Sequence, residues 1–304
     1  MDPFAPLLDS AIREHEADPA AIPSLPLAAS AGGGETVFDW HNRRVKCLGL
    51  RSEATDPVWL AATCQALLDA PTPFSKLTCY VRDAQREPWT AAGMVHEATI
   101  TGFYGEADCQ IWARFLDPER ATDHEAENLD AIVATAEERG PKEAPLAEGY
   151  SVRTATSDDG PLLAEILAAT FCDYPTPIAP DHQTMLITSG RSHFEIATGP
   201  DGSVAAVISA ELDRENGNAE VSDCATLSAH RGRGLMRHLI RRVEDRVAAD
   251  HGIRSFYTLA RACEPGMNIA FARCGYIYTG RLVNNCRMPE GWESMNAWCK
   301  RHDG

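Results

Sequence analysis

Lysine is nearly missing from this chain: four residues, Lys46, Lys76, Lys142 and Lys300, among 304. The rest of the 28 cations are arginines, and against 44 Asp and Glu they leave a formal net charge of -16. So negative a field repels phosphate backbones and anionic lipid surfaces, which argues against a general nucleic-acid or membrane-surface binder. Long apolar runs are lacking too, since none reaches the roughly 18 residues that a membrane helix needs. Met1-Asp2-Pro3-Phe4 opens without a basic or an apolar leader region. The ten cysteines include no C-x-x-C pair and no Cys/His cluster at ligand spacing, so no metal is expected. The expected compartment is the cytoplasm, with reduced thiols. What is present, 44% hydrophobic and 24% charged residues, is enough for a real core and for two domains.

Residues 1–34 are rich in Ala and Pro and close on Gly32-Gly33-Gly34, a composition expected to remain a flexible tail. An N-terminal α/β domain is expected over 35–120. It opens with a hairpin around His41-Asn42, then a helix capped by Asp56 with Pro57 at its first position, a strand from Leu77 to Val81, a short helix near 87–92, and strands near 94–101 and 108–115. Residues 121–149 read as a helix and a linker. The second domain, 150–304, begins with a strand and a helix burying Leu162, Leu163, Ile166 and Leu167, followed by two strands joined at Asn216-Gly217, a hairpin-turn dipeptide. The punctuation repeats: Trp89, Gly93-Met94 and Trp112-Ala113-Arg114 in the first half echo Phe271, Gly275-Tyr276 and Trp298-Cys299-Lys300 in the second. We read the first half as a degenerate copy of the second.

The sharpest local signal is a strand from Ala219 to Leu227, then Arg231-Gly232-Arg233-Gly234, then a helix from Leu235 with Leu235, Met236, Leu239, Ile240, Val243 and Val247 on one face. Glycines let the backbone turn its N–H groups toward one point, and the helix N-terminus adds its positive end, which suits a pyrophosphate. A plain strand-to-helix turn is the alternative. The loop lacks both the longer dinucleotide fingerprint and the G-K-[ST] of a P-loop.

The loop resembles the acetyl-CoA loop of the GNAT N-acetyltransferases, [QR]-x-x-G-x-[GA], with Met236 departing at the last position. That resemblance implies a mixed α/β sheet, splayed where the pantetheine arm lies. It also implies acetyl-CoA contacts at Ala225, Thr226, Leu227, Arg231, Gly232, Arg233, Gly234, Leu235, Asn268 and Phe271. Glu220, eleven residues before Arg231, falls where GNAT enzymes place a general base; Asp223 is the rival, on the opposite face of the strand unless a bulge intervenes. The usual tyrosine acid is replaced by Phe271, which leaves Tyr257, Tyr278 or solvent to protonate the leaving thiolate.

Residues 150–300 resemble more closely the β-lysine N-acetyltransferase family, which makes the compatible solute Nε-acetyl-β-lysine for osmoadaptation. The residues that carry the likeness are Tyr174-Pro175-Thr176-Pro177-Ile178, Gly217-Asn218-Ala219-Glu220, Tyr257-Thr258-Leu259-Ala260-Arg261-Ala262, Gly266-Met267-Asn268-Ile269, Leu282-Val283-Asn284-Asn285 and Glu293-Ser294-Met295-Asn296-Ala297-Trp298. Such an acceptor requires an Arg fork for its carboxylate and an acid for its β-ammonium. The candidates are Arg261 for the former and Asp223 or Glu293 for the latter, with Tyr174, Asn285, Ser294 and Asn296 around them. Another diamine or amino acid, such as diaminobutyrate or a polyamine, and a non-catalytic acyl-CoA-binding role are the alternatives. The expected partners are a small-molecule amine and a second copy of the chain, and the N-terminal domain is expected to serve packing or dimerisation.

Overall fold

The computed structural model describes residues 4–19, 21–27, 34–50, 57–71, 74–82, 85–143, 145–171 and 178–302. Gly32, Gly33, Asp56 and Tyr174 from the reading above lie outside them.

The N-terminal half runs α1 (Ala5–Ala17), β1 (Ser24–Pro26), β2 (Glu35–Asp39), β3 (Arg44–Leu50), α2 (Pro57–Asp69), β4 (Lys76–Val81), α3 (Glu87–Ala91), β5 (Val95–Tyr104) and β6 (Ala107–Phe115). The expected flexible tail is corrected. Phe4, Leu8 and Ala11 form a stripe at helical spacing that is buried with Leu27 in the N-terminal core, and β1 pairs with β2. Burying a Phe or Leu side chain contributes about 1.5–3 kcal/mol each, which the Ala/Pro-rich composition concealed.

After α4 (Ala126–Arg139), the C-terminal half runs β7 (Ser151–Thr154), α5 (Gly160–Thr170), α6 (Pro180–Thr188), β8 (Ser192–Thr198), β9 (Val204–Asp213), β10 (Asn218–Thr226), α7 (Leu235–His251), β11 (Ser255–Arg261), α8 (Pro265–Arg273), β12 (Ile277–Met288) and β13 (Gly291–Arg301). The helix α4 is more than a linker, because its Val133 and Ala136 join the core under α7 and α8.

The thirteen strands of the described residues form one sheet in the order β1-β2-β3-β4-β6-β5-β12-β13-β11-β10-β9-β8-β7. Around its centre the two halves are topological copies. A hairpin (β2–β3, β9–β10) leads through a helix to a parallel neighbour (β4, β11), then through a short helix to a second hairpin (β5–β6, β12–β13) whose later strand inserts beside the parallel pair. The facing edge strands of the two copies, β5 and β12, join antiparallel at Ala98 and Gly280 near the middle of the sheet. Only glycine fits that seam: at φ +147° a Cβ on Gly280 would stand 2.1 Å from the Glu97 carbonyl oxygen. The copies differ at their parallel pairs. Pairing between β3 and β4 continues to Leu50 and Val81, whereas β10 and β11 pair only from Asn218–Ser255 to Glu220–Tyr257 and then part.

The sheet is strongly curved. Four strand steps separate β5 from β10, roughly 19 Å on a flat sheet at about 4.8 Å per step. Yet Asn218 Nδ2 donates to the Phe103 carbonyl at 2.5 Å, and Ser255 Oγ donates to the Thr101 carbonyl. The concave face is filled by Tyr80, Ile100 and Phe103 from one half against Leu282, Met295 and Ala297 from the other.

Candidate active site

Three elements converge where β10 leaves β11. The first is the glycine loop. Arg231, Gly232 and Arg233 are exposed, Arg231 Nε donates to the Thr226 carbonyl, and Gly234 caps α7 in the left-handed conformation with no capping side chain. Gly232 also has positive φ (+77°), and a Cβ there would meet nothing within 4 Å, so the space over the loop is open at that point; a Cβ on Gly234 would stand 3.0 Å from the Arg237 guanidinium, a flexible cation over the loop. The amides at the start of a 17-residue helix thus face that space. Met236 is buried in the core beneath α7, so the departure from the family's small residue does not intrude on the loop. The second element is the edge of β10 from Val221 to Thr226, which has no β11 partner and lies along the gap. Together they fit the pyrophosphate and arm of a CoA thioester, with Ala225, Thr226 and Leu227 beside the gap.

The third element is a cluster of acids. Glu220 sits opposite Tyr257 across the last parallel pair and opposite Glu211 across the antiparallel hairpin. Burial pushes the Glu220 carboxyl up; Lys46 and a hydrogen bond from the Tyr257 hydroxyl pull it back, and Asp223 adds to the rise, leaving it above its ordinary value. Glu211 is raised by desolvation and then by the charges of Glu220 and Asp223. Its surface is open to solvent, so the desolvation comes from a concave wall crowded with protein around it. The Tyr257 hydroxyl is held well above the usual phenol range, first by burial and then by Glu220, and so keeps its proton.

A bulge does intervene at Asp223. The β9–β10 register shifts between Ser222 and Ala225, Asp223 takes φ +48°, and its Oδ2 accepts from Ser209 Oγ at 2.8 Å. Ser209 lies on the same face as Glu211, so Asp223 turns toward Glu220 instead of away from it.

The N-terminal half enters this chamber. Along β3, Val45 and Cys47 fill the N-terminal core, while Arg44, Lys46 and Leu48 face the concave side. Lys46 is near enough to Glu220 for each to bias the other's proton, although seven strand steps, roughly 34 Å on a flat sheet, lie between β3 and β10. Neither Lys46 nor Glu211 stands out in the sequence by motif. The available signals were the scarcity of lysine and the period-2 alternation of β3.

Several expected site residues serve the scaffold instead. Arg261 is gripped bidentately by Glu293, Nε to Oε2 at 2.7 Å and Nη2 to Oε1 at 2.6 Å. The expected carboxylate fork and ammonium acceptor therefore neutralise each other. Asn268 donates to the Arg261 and Glu264 carbonyls and accepts from Asn296 and Trp298, which saturates a fully buried amide and removes it from any cofactor contact. Asn296 is engaged further by Arg281. Phe271 is core, packed edge-on to Tyr276 with centroids 5.0 Å apart. Tyr278 lies half-buried against Trp298.

The motif Val283-Asn284-Asn285 is a wide bulge in β12, opposite Ser294, with Asn284 at φ +46°. Buried cations of the N-terminal half hold its carbonyls: Lys76 on Val283, Arg120 on Asn284 and Asn285, and Arg44 on Asn285. Ser294 Oγ accepts the Asn284 N–H and donates to Asp123. These contacts bind the two halves together, which accounts for Ser294 and for the Asn285 backbone without a substrate; the Asn285 side-chain oxygen is buried with no hydrogen-bond partner among the described residues.

Residues 162–276 match the Acetyltransferase (GNAT) family. The chain is 32% identical over 250 residues to the β-lysine N(6)-acetyltransferase of Methanosarcina mazei, covering 74% of this chain and 90% of that protein. It is 34% identical over 209 residues to the N-acetyltransferase YodP of Bacillus subtilis, covering 67% and 74%. A β-lysine N(6)-acetyltransferase of Methanococcus maripaludis matches at 27% over 228 residues, covering 74% and 82%. Among solved structures, the Vibrio cholerae spermidine N-acetyltransferase in complex with CoA and spermine aligns over 50% of this chain and 95% of its own, at 14% identity and TM-score 0.44, a likeness too distant to carry residue roles. The sheet that parts after Glu220, the open glycine loop and these relatives together make the chain a member of the GNAT family of acetyltransferases, related to the β-lysine N(6)-acetyltransferases.

Proposed function

We propose that this N-acetyltransferase acetylates the terminal amine of β-lysine by direct attack, with Glu220 as general base. The observation that carries the reading is the position of Glu220 at the last pair before β10 and β11 part, with its carboxyl raised by burial. An alkyl ammonium has a reference pKa near ~10.4, so at neutral pH the acceptor must lose a proton before it can attack. A carboxylate shifted upward accepts that proton more readily than an ordinary one.

Acetyl-CoA, held by the loop at residues 231–235 and along Ala225–Leu227, supplies the thioester. Glu220 first takes one ammonium proton and passes it to solvent; the free amine nitrogen then bonds to the acetyl carbon, Glu220 takes its second proton, and the carbon–sulfur bond breaks. The Tyr257 hydroxyl, hydrogen-bonded to Glu220, gives its proton to the leaving sulfur and recovers one from Glu220. Glu211 and Asp223 give the β-ammonium its acidic surroundings. The names of the relatives support β-lysine, and three carboxylates around one gap support an acceptor with two amines.

Purified protein, acetyl-CoA and a panel of β-lysine, diaminobutyrate and polyamines test the reading. Glu220→Gln should lower kcat about 10²- to 10⁴-fold with acetyl-CoA affinity unchanged. Wild-type kcat/KM should fall as the pH drops through the raised pKa of Glu220, and that limb should vanish in the variant. Retained activity in Glu220→Gln with loss in Asp223→Asn would move the base to Asp223.

A further inference from the structure

We propose that Lys46, on β3 of the N-terminal half, binds the carboxylate of the amino-acid acceptor in the chamber whose base belongs to the C-terminal half. This rests on the acceptor reading above and assigns its remaining charge.

Every other buried cation along this wall is engaged. Lys76 donates to Glu97 at 2.9 Å and to the Val283 carbonyl at 2.8 Å, with both side chains of the pair almost wholly buried. Arg44 pairs with Asp39 at 2.8 Å and also holds the Asn285 carbonyl. Arg120 holds the carbonyls of Asn42, Arg43, Asn284 and Asn285 together with Ser75 Oγ. The Lys46 ammonium, half-buried, makes no hydrogen bond or ion pair among the described residues; Arg44 repels it, and Asp39, Glu220 and Cys286 attract it, only through space. Repulsion by Arg44 and partial withdrawal from water both disfavour the charged form, and an incoming anion offsets them.

The chamber is thus polarised. Lys46, with the charge of Arg44 behind it, makes one wall positive, and Glu211, Glu220 and Asp223 make the other acidic, sharing fewer than three negative charges at neutral pH because their crowding holds Glu211 up to about 8. A zwitterion with a carboxylate at one end and amines toward the other matches that polarity, whereas a polyamine matches only half of it. Arg261, the sequence's candidate for this task, is closed off by Glu293. On this account the degenerate half completes the substrate site.

The competing explanation is that Lys46 acts only on Glu220, as a charge that sets the base. Lys46→Met keeps the stem and removes the charge; Lys46→Arg restores it. KM and kcat are measured for β-lysine and for its decarboxylated diamine. Lys46→Met should raise KM for β-lysine about ten- to hundredfold and leave the diamine KM within about twofold, with Lys46→Arg recovering most of the loss. Unchanged acetyl-CoA affinity and an unchanged unfolding transition report that the variant is folded, while loss of the Lys46 charge moves the Glu220 pH limb upward alike on both acceptors. An equal rise in KM on both acceptors would overturn the proposal and leave Lys46 acting on Glu220 alone. Wild-type preference for β-lysine that survives in Lys46→Met overturns this proposal alone. Wild-type preference for the diamine overturns the β-lysine reading and the proposal together.

Discussion

Replacing Gly280 by Ala should damage this protein far more than one methyl group suggests. The added Cβ would lie 2.1 Å from the Glu97 carbonyl oxygen, 2.7 Å from Ala98 Cα and 2.9 Å from Ala98 Cβ. All three belong to β5, and two are backbone, so no side chain can swing aside; the strand itself must retreat. Glu97 would move with it, and its Oε1 receives both Lys76 Nζ and the Val283 N–H. Overpacking of this kind costs about 1–3 kcal/mol, and an L-residue held at φ +147° adds strain of about 1–3 kcal/mol. The total of about 2–6 kcal/mol corresponds to a fall in Tm of roughly 3–9 °C for a chain of this size. Gly291 supplies the control: it has a comparable φ of +138°, but a Cβ there meets nothing within 4 Å. Gly291→Ala therefore carries the strain without the collision. Urea and thermal unfolding of both variants isolate the seam, and equal destabilisation of the two would refute the close approach of β5 and β12.

Other outcomes follow from the site. Gly234→Asp introduces bulk and negative charge at the cap of α7, where its positive φ costs about 1 kcal/mol and a Cβ would lie 3.0 Å from the flexible Arg237 guanidinium, so calorimetric titration should show acetyl-CoA binding lost while the chain still unfolds cooperatively; undiminished affinity removes the loop from the donor site. A carboxyl raised in the folded state, as Glu211 is, contributes stability that is present below its unfolded pKa near ~4.3 and lost as the pH rises through the raised value. Glu211→Gln should consequently raise Tm at pH 7, with the gain disappearing toward pH 4; a pH-independent difference would deny the charge repulsion among the acids. Arg261→Ala should destabilise the fold by about 1–2 kcal/mol, allowing for the exposed third of that side chain, and leave the preference for β-lysine over its diamine intact. A collapse of that preference would return the carboxylate to Arg261.

Much of the architecture is legible in the sequence because it is written locally. Asn216-Gly217 marks the β9–β10 hairpin, the apolar face from Leu235 to Val247 marks α7, and the matched Trp and Gly punctuation marks the two copies. Other elements carry signals that mislead. The strand β8 buries Glu195 with His193 and Arg242 around it and so reads as polar, while Gln183 is the buried residue of α6. The site divides along the same line. Glu220 becomes a candidate by its offset from the glycine loop, but the face of Asp223 depends on a bulge that alternation alone cannot reveal. Asn285 looks like a substrate donor because the holders of its bulge, Lys76, Arg120 and Arg44, lie 164 to 241 residues away in sequence. Curvature of the sheet, a property of the whole, is what brings Lys46 to Glu220.

The unequal parallel pairs describe how a duplicated unit divides its labour. In one copy the strands remain zipped to Leu50 and Val81; in the other they open after Glu220 and Tyr257. A closed pair satisfies its own backbone and is rigid, whereas an open pair leaves its hydrogen-bonding edge to be completed by a guest. The architecture therefore counts twice while the groove counts once. The copy that lost its opening is released from any demand to yield, and can act as a fixed wall against which the yielding copy works.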